Sequence, residues 1–450
     1  MDHAARRTRL VALLGDTGTV VVLGHRPATR DHAADHYPFR QDASFTYFVG
    51  LDEPGAAALI DLASGETTLF GTEPDLDDQL WHGPRPPLAD RAAASVADRF
   101  RPLADLPAAI ATAPLPIHTL PSTRATQAAD LRALLGPDHR PSPDLVRAVA
   151  HLREVKDAAE LAEIEQALTR TAGLHATAMG VVRPGRSVGE AVRELDAFVA
   201  RSGGRWAYPV IFTPRGEVLH AFEHEGTMAT GDLLLHDGGV TSDGGYAADI
   251  TRTMPVGGRF DGRARLLHEA VLAAQACALS LLRPGVRHID VHYAAGRVLL
   301  EAFADAGLVR GDLDAATEAG AFGVVFPHGL GHLLGIEVHD MEGLGEDLVG
   351  YDEETVRPSA FGPSNLRYGK RLREGTVITV EPGAYLNGPL IEWFRAEGRF
   401  RDLWDWAGLA EWVGLGGVRI EDVAVVTSDG AQVLGPPIPK SAEALEAACG

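Results

Sequence analysis

Four carboxylates stand at matched places in strand-like segments: Asp237 in GDLLLHDGG, Asp249 in YAADITRTMPV, Glu381 in GTVITVEPG and Glu421 in GGVRIEDVAVV. Strand alternation puts Asp237 on the row of Leu233 and Leu235, and Glu381 on the row of Val377 and Thr379. Asp249 falls in line with Thr251 and Thr253, and Glu421 with Arg419 and Val423. A carboxylate on the row of a buried strand is costly unless it is paired or bound to a metal ion. Any one of them alone is explained by a salt bridge or a solvated strand end. Four, arranged two and two, point instead to shared cations.

A fifth donor comes from FPHGLGHLLGIEVHD, residues 326–340, which carries His328, His332 and His339. The four-residue spacing of the first two suits one face of a helix, but Gly329, Gly331 and Gly335 argue against a stable helix there. One imidazole added to the four acids makes an oxygen-rich set. The chain has only Cys277 and Cys449, which excludes a thiolate cluster and a disulfide framework. Such donors suit hard divalent ions such as manganese or magnesium. Two ions roughly 3.5–4 Å apart can share carboxylates and a bridging hydroxide, a strong nucleophile at neutral pH. Hydrolysis of an amide or related carbonyl compound is the matching reaction, with histidines handling protons or orienting the carbonyl.

The elements that must position these donors repeat. A long helical pattern ends at Arg183-Pro184-Gly185, and another ends one hundred positions later at Arg283-Pro284-Gly285. Each is followed by a second helical pattern, the first opening with Ser187 and Glu190 at capping-box spacing, the second with Asp290 as N-cap. The acid-bearing strands follow in each half. Two pseudo-symmetric halves around one cleft are the expectation. Ahead of them, TVVVL (19–23) and AAALIDL (56–62) read as strands and ADRAAASVADRF (89–100) as helix, giving a smaller α/β domain. PSPD at 141–144 places the boundary near 145. The expected division is 1–145, 146–435 and a tail over 436–450.

At 450 residues the chain has room for two cores. Its net charge of −21 argues against a nucleic-acid or anionic-membrane surface. The apolar run after Arg6 and Arg7 stops at Gly15 and Asp16, too short for a signal sequence, and no stretch approaches a membrane span. A reducing cytoplasm is the expected location.

In its second part the chain resembles the pita-bread metallopeptidases, and within them aminopeptidase P and prolidase. LHAFEHEG, LLLHDGG, YAADITRTMPVGG, FPHGLGHLLGIEVHD, VITVEPGAY and GGVRIEDVAVV carry the likeness in the family's order over residues 219–427, and FRQDASFTYFVGLDEPGAAALID looks like the family's N-terminal domain. The resemblance implies an α+β fold: a pita-bread (creatinase/aminopeptidase) domain with pseudo-two-fold duplicated halves after the smaller α/β domain. It implies two divalent ions, manganese first and cobalt or zinc as alternatives. Asp237 and Asp249 would bind one, His332 and Glu381 the other, with Asp249 and Glu421 bridging. Glu381 would also take the proton of the attacking water. His220 and His339 would contact the substrate and the developing oxyanion, His328 would line the substrate cleft, and Arg419 would support the bridging acid or the substrate.

Function follows in the same terms. The implied substrate is a peptide with proline at the second position, cleaved as by aminopeptidase P, with prolidase action on Xaa-Pro dipeptides or a non-catalytic peptide-binding role as alternatives. A homo-oligomer, dimer or tetramer, is implied. Creatinase, a metal-free relative, has lost the acids that this chain keeps. Two departures stand out: Asp249 follows Asp237 by twelve positions, one more than the family pattern, and His339 and Glu381 are separated by a longer segment that includes GLGEDLVGYDEETVRP. His224 and His236 read as packing residues, as do Tyr246 and Tyr385, and Trp81 as a surface aromatic or a contact to a neighbouring subunit.

Overall fold

The computed structural model describes residues 1–32 and 34–450. It divides into two compact units, Met1–Arg153 with Met341–Val349, and Glu154–Asp340 with Gly350–Gly450. The helix Pro143–Glu154 runs across the expected boundary near 145.

In the first unit, five strands form one mixed sheet in the order Arg99–Pro102, Thr67–Gly71, Ala57–Asp61, Thr19–Leu23 and Ile117–Thr119. The two outer pairings are parallel and the two inner ones antiparallel. All five residues of Thr19–Leu23 are buried, as a β-branched run at the middle of a sheet should be. Val21, Leu23, Leu59 and Phe70 meet Leu106 and Ile110 in its core. The helix expected over 89–100 does not form as one piece. Leu88–Arg91 is helical and Ala93–Ser95 a 3-10 turn, but Val96 adopts a left-handed conformation and Arg99–Pro102 joins the sheet edge. Asp98 explains the switch: its carboxylate accepts from the Thr67 amide at 2.7 Å, and its own amide bonds the Thr67 carbonyl at 2.9 Å. Ladder pairing outweighs helix propensity there.

The second unit shows the expected duplication. Ala158–Val181 and Val188–Arg201 precede a three-stranded antiparallel sheet of Ile211–Thr213, Leu233–Asp237 and Thr251–Pro255. Gly262–Leu281 and His288–Asp305 precede a second one, in which Asp422–Val426 lies between Val377–Val380 and Ala431–Val433. The two helix-to-helix turns dock alike: the Gly185 amide bonds the Met228 carbonyl at 2.8 Å, and the Gly285 amide bonds the Leu372 carbonyl at 2.9 Å. Both glycines sit at positive φ, 80° and 84°, where a side chain would be strained. This is the pita-bread architecture expected.

Three local expectations are corrected. Ser187 is the N-cap residue, yet its hydroxyl makes no cap hydrogen bond and its backbone bridges Thr227 instead. Asp290 is not the N-cap of its helix, which starts at His288 after Arg287; it sits in the first turn and pairs with Arg287 at 2.7 Å. Residues 436–450 are more than a tail: Ala442–Cys449 is a helix capped by the Ser441 hydroxyl.

Within the second unit, His268 is fully buried with neither ring nitrogen bonded, its ring tilted against Phe260. Burial pushes it down to about 4. The unfolded chain therefore takes up a proton below about pH 6.5 that the folded chain refuses, so this group lowers stability as pH falls from 6.5 to 4, by roughly 1.4 kcal/mol per unit. His268→Leu should flatten the decline of the unfolding midpoint over that window; an unchanged slope would contradict it.

Candidate metal centre

Each acid stands at the end of a strand. Asp237 closes Leu233–Asp237, Glu381 follows Val377–Val380, Glu421 precedes Asp422–Val426, and Asp249 lies two residues before Thr251–Pro255. Register brings the ends together: Asp237 pairs with Thr251, and Asp422 with Val380. The segment 326–340 forms no helix, as its glycines predict; instead Leu333 bridges Ile378, beside the Glu381 strand.

Three groups of donor atoms result, each with its atoms within 4.8 Å of one another: Asp237, Asp249 and Glu421; His332, Glu381 and Glu421; and Asp249, His332 and His339. Glu421, Asp249 and His332 each belong to two groups, and Glu421 is the carboxylate shared by the two groups that hold the other acids. His332 is oriented for the purpose. Its Nδ1 faces the Leu333 carbonyl at 3.0 Å, so Nδ1 carries the proton, while Nε2 lies 3.3 Å from Asp249 and 3.5 Å from Glu381.

The electrostatics mark the cluster as lacking positive charge. Glu421 is 1% exposed; its Oε2 accepts from the Thr251 hydroxyl at 2.7 Å, while its Oε1 has no partner. Burial, then the charges of Asp249, Glu381 and Asp237, hold the Glu421 carboxyl well above its usual range. Burial likewise pushes Glu381 up to about 7, against the pull of His332 and Arg419. Burial raises Asp237, with Arg419 opposing it. Burial would raise Asp249 too, but the hydrogen bond and charge of His332 hold it below its usual value. His332 responds in kind: burial opposes its charge, yet Asp249 and Glu381 lift it to about 9. Arg419 pairs with Asp237, and His332 lies between Asp249 and Glu381. An orphaned buried oxygen and an oxygen-rich donor set without sulfur fit a pair of hard divalent ions.

Arg419 is buried and fully engaged. It pairs with Asp237 at 2.6 Å, donates to the Thr251 hydroxyl at 3.1 Å, and donates to the Tyr385 hydroxyl at 2.9 Å. Its ion-pair partner is thus Asp237 and not a bridging acid. Tyr385, read from sequence as packing, continues the chain to His328 Nε2 at 2.7 Å. His328 Nδ1 faces the Gly329 carbonyl at 2.8 Å, so that nitrogen bears the proton and Nε2 accepts from the tyrosine. Burial and the Arg419 charge keep His328 neutral, well below its usual value.

His339 packs tilted against His332, their ring centroids 4.2 Å apart. His220 is the outlier: exposed, stacked on Phe222 at 5.6 Å, and tied to the cluster by the fields of Arg419 and Asp237 rather than by contact. His236 points away from Asp237 into the core and stacks on His175 at 4.4 Å.

Two residues were missed in the sequence. Tyr208 donates its hydroxyl to Asp237 at 2.6 Å and reaches Asp249 as well. Nothing in RWAYPVIFT relates that tyrosine to the acids by spacing. Arg367 is the other: its charge acts on Glu381, His332, His328 and His220. Behind the strands, Arg252 bonds the Glu421 carbonyl at 2.7 Å and pairs with Asp422 at 2.7 Å, and Lys440 bonds Asp422 at 2.6 Å. Tyr208→Phe should weaken metal affinity about 10- to 100-fold, as loss of a hydrogen bond to a ligating carboxylate does. Calorimetric titration with manganese checks this, and wild-type affinity would contradict it.

Similarity to known proteins points the same way. Residues 162–428 match the family described as Metallopeptidase family M24, and residues 3–114 match Aminopeptidase P, N-terminal domain. A probable Xaa-Pro aminopeptidase of Verticillium alfalfae is 29% identical over 99% of this chain and 95% of its own. The human Xaa-Pro dipeptidase is 29% identical over 96% of this chain and 88% of its own. The solved structure of Pseudomonas aeruginosa aminopeptidase PepP superposes with a TM-score of 0.81 at 27% identity, covering 99% of this chain and 97% of that one. Zinc-substituted Escherichia coli aminopeptidase P in complex with product superposes with a TM-score of 0.80 at 27% identity, covering 100% and 97%.

Proposed function

The chain belongs to metallopeptidase family M24, and from that membership we propose that it is an Xaa-Pro aminopeptidase, releasing the residue ahead of a proline at the N-terminus of peptides. Asp237, Asp249, His332, Glu381 and Glu421 would hold two divalent ions, manganese the preferred pair. The observation that carries the reading is the two donor triangles that share the buried Glu421. Two ions there would acidify a water and polarise the scissile carbonyl.

The chain's own residues supply the rest. Glu381 takes the proton of the attacking water, its Oε1 held by the Thr379 hydroxyl at 3.2 Å. His339, beside His332, and the exposed His220 face the peptide carbonyl and the charge that develops on it. The hydrogen-bonded run from Arg419 through Tyr385 fixes His328 as a neutral ring at the cleft wall. Residues 146–435 are the catalytic part in this reading and 1–145 the N-terminal domain.

Arg367 favours a second reading. A cation that acts on Glu381 and His328 suits the free carboxylate of a dipeptide, and so a prolidase-type dipeptidase. Metal-stripped protein resupplied with manganese, cobalt or zinc, assayed on a Gly-Pro dipeptide and on a longer Xaa-Pro-Xaa peptide, separates the two. Cleavage of the longer peptide, fastest with manganese, supports the aminopeptidase. Cleavage of the dipeptide alone overturns it in favour of the dipeptidase, and no cleavage of either overturns both.

Location in the cytoplasm is part of the same proposal and is supported by the two free cysteines; among the described residues no helix is long and apolar enough to cross a membrane. A homo-oligomer is also proposed. Leu76, Leu80 and Trp81, each more than 70% exposed on one short helix, form an apolar surface that association would cover.

A further inference from the structure

Outside the donor set, Lys156 and Asp340 form a deeply buried ion pair, 3.0 Å apart, each side chain 1% exposed. Burying such a pair seldom adds stability, because desolvation offsets the attraction; where one persists, a role in fixing one arrangement of the chain is the alternative. Its position supplies that role.

Lys156 is anchored at both ends. Its backbone amide bonds the Gly375 carbonyl at 2.9 Å, and its neighbour Val155 bridges Thr376, just before the strand Val377–Val380 that Glu381 follows. Its ammonium meets Asp340, the residue after His339. Asp340 in turn closes the histidine loop: its amide bonds the Leu333 carbonyl at 2.9 Å, and its carboxylate accepts from the Glu337 amide at 3.3 Å. Gly335 lies directly against that carboxylate, where an added Cβ would come within 2.4 Å of Asp340 Oδ2. The Gly335 carbonyl also accepts from Ala247, two residues before Asp249, at 2.8 Å. One buried pair thus ties together the segments bearing Glu381, His332, His339 and Asp249.

We propose that the Lys156–Asp340 pair is a positioning device that sets the register of the His332–Asp340 loop against the Glu381 strand, and through it the aim of the His332 and His339 rings. Neither residue touches the reacting atoms. The proposal rests on the functional reading above, since it concerns the same site.

The decisive variant is Lys156→Met/Asp340→Leu, which removes both charges and keeps apolar bulk, a replacement that preserves folding in other buried pairs. Three quantities are compared with wild type: the unfolding midpoint, the calorimetric titration with manganese, and kcat against KM on an Xaa-Pro-Xaa peptide. The expected result is a near-wild-type midpoint, at least about tenfold weaker uptake of one of two manganese ions, and kcat lowered at least about tenfold with little change in KM. A recovered midpoint together with wild-type uptake and kcat would make the pair merely structural and overturn the proposal. If the double variant does not fold, Asp340→Asn, which keeps the shape and the Glu337 contact, is compared for manganese uptake and kcat at a temperature below its own unfolding midpoint, which is lowered because Lys156 stays buried without its counter-charge; the same two outcomes in uptake and kcat decide. Wild-type protein that neither takes up manganese nor cleaves the peptide refutes the proposed function itself; wild-type behaviour in the variants refutes only the role of the pair.

Discussion

Asp249→Asn and Glu381→Gln should each reduce kcat by at least on the order of 10³-fold, more than the loss of a single oxyanion-hole donor. The reason is placement. Asp249 belongs to the group with Asp237 and Glu421 and lies 3.3 Å from His332 of the other, so the amide removes charge from one proposed ion site and from the edge of its neighbour. Glu381 faces His332 across 3.5 Å and has the Thr379 hydroxyl on the same oxygen; its amide can neither bind an ion well nor accept a proton from water. The stability effect differs between the two. In metal-free protein Glu381→Gln removes a carboxyl that burial raises, so its unfolding midpoint in chelator should not fall below wild type, whereas Asp249→Asn removes a carboxylate that His332 holds below its usual value and should lower the midpoint. Kinetics in manganese and thermal unfolding in chelator test both halves. Near-wild-type turnover in either variant would refute the ligand assignment.

The second large effect is expected on metal removal. Chelation should abolish turnover and lower the unfolding midpoint, since a ligand present at a hundred times its dissociation constant stabilises by about 2.7 kcal/mol per site. The sign with pH follows from the carboxyls. Glu381 titrates near 7 in the ion-free fold, and Glu421 is displaced in the same direction. A raised carboxyl gives stability that is complete below the unfolded value and lost as pH rises through the folded one. His332, raised to about 9, gives stability lost over a higher window with the same sign. The ion-free cluster is therefore favoured by acid, and chelator should cost more stability at pH 8 than at pH 5.5. Loading manganese at pH 7 should expel at least about one proton, from His332 and part of Glu381, with the raised Glu421 acting in the same direction. Titration calorimetry in two buffers of different ionisation enthalpy reads that number. No proton release, or an equal chelator effect at both pH values, would contradict it.

The donors were legible because each occupies a strand end whose hydrophobic row has no other use for a charge, and because the two halves repeat. Asp237 and Glu381 each follow an apolar row by the same step after a turn glycine, and two such coincidences carry information that one acid does not. The turns at Gly185 and Gly285 were legible for a similar reason: Pro-Gly after a long apolar period can end a helix in few ways.

What escaped was set by tertiary contacts. Tyr208 has no spacing relation to Asp237 and meets it only because Trp206 and Val240 bridge their segments. Lys156 stands in a charged segment, REVKD, where nothing in the spacing sets it apart, yet its side chain is 1% exposed. Helix propensity misplaced 89–100, where Asp98 satisfies backbone groups of the neighbouring strand. Asp290 has the right chemistry for a cap, but the helix begins two residues earlier.

The most direct test is an anomalous-scattering experiment on crystals of the protein loaded with manganese. Two peaks per chain are expected, one among Asp237, Asp249 and Glu421, the other among His332, Glu381 and Glu421. A map of fully active crystals with no peak at these side chains, or with manganese bound only elsewhere, would contradict it.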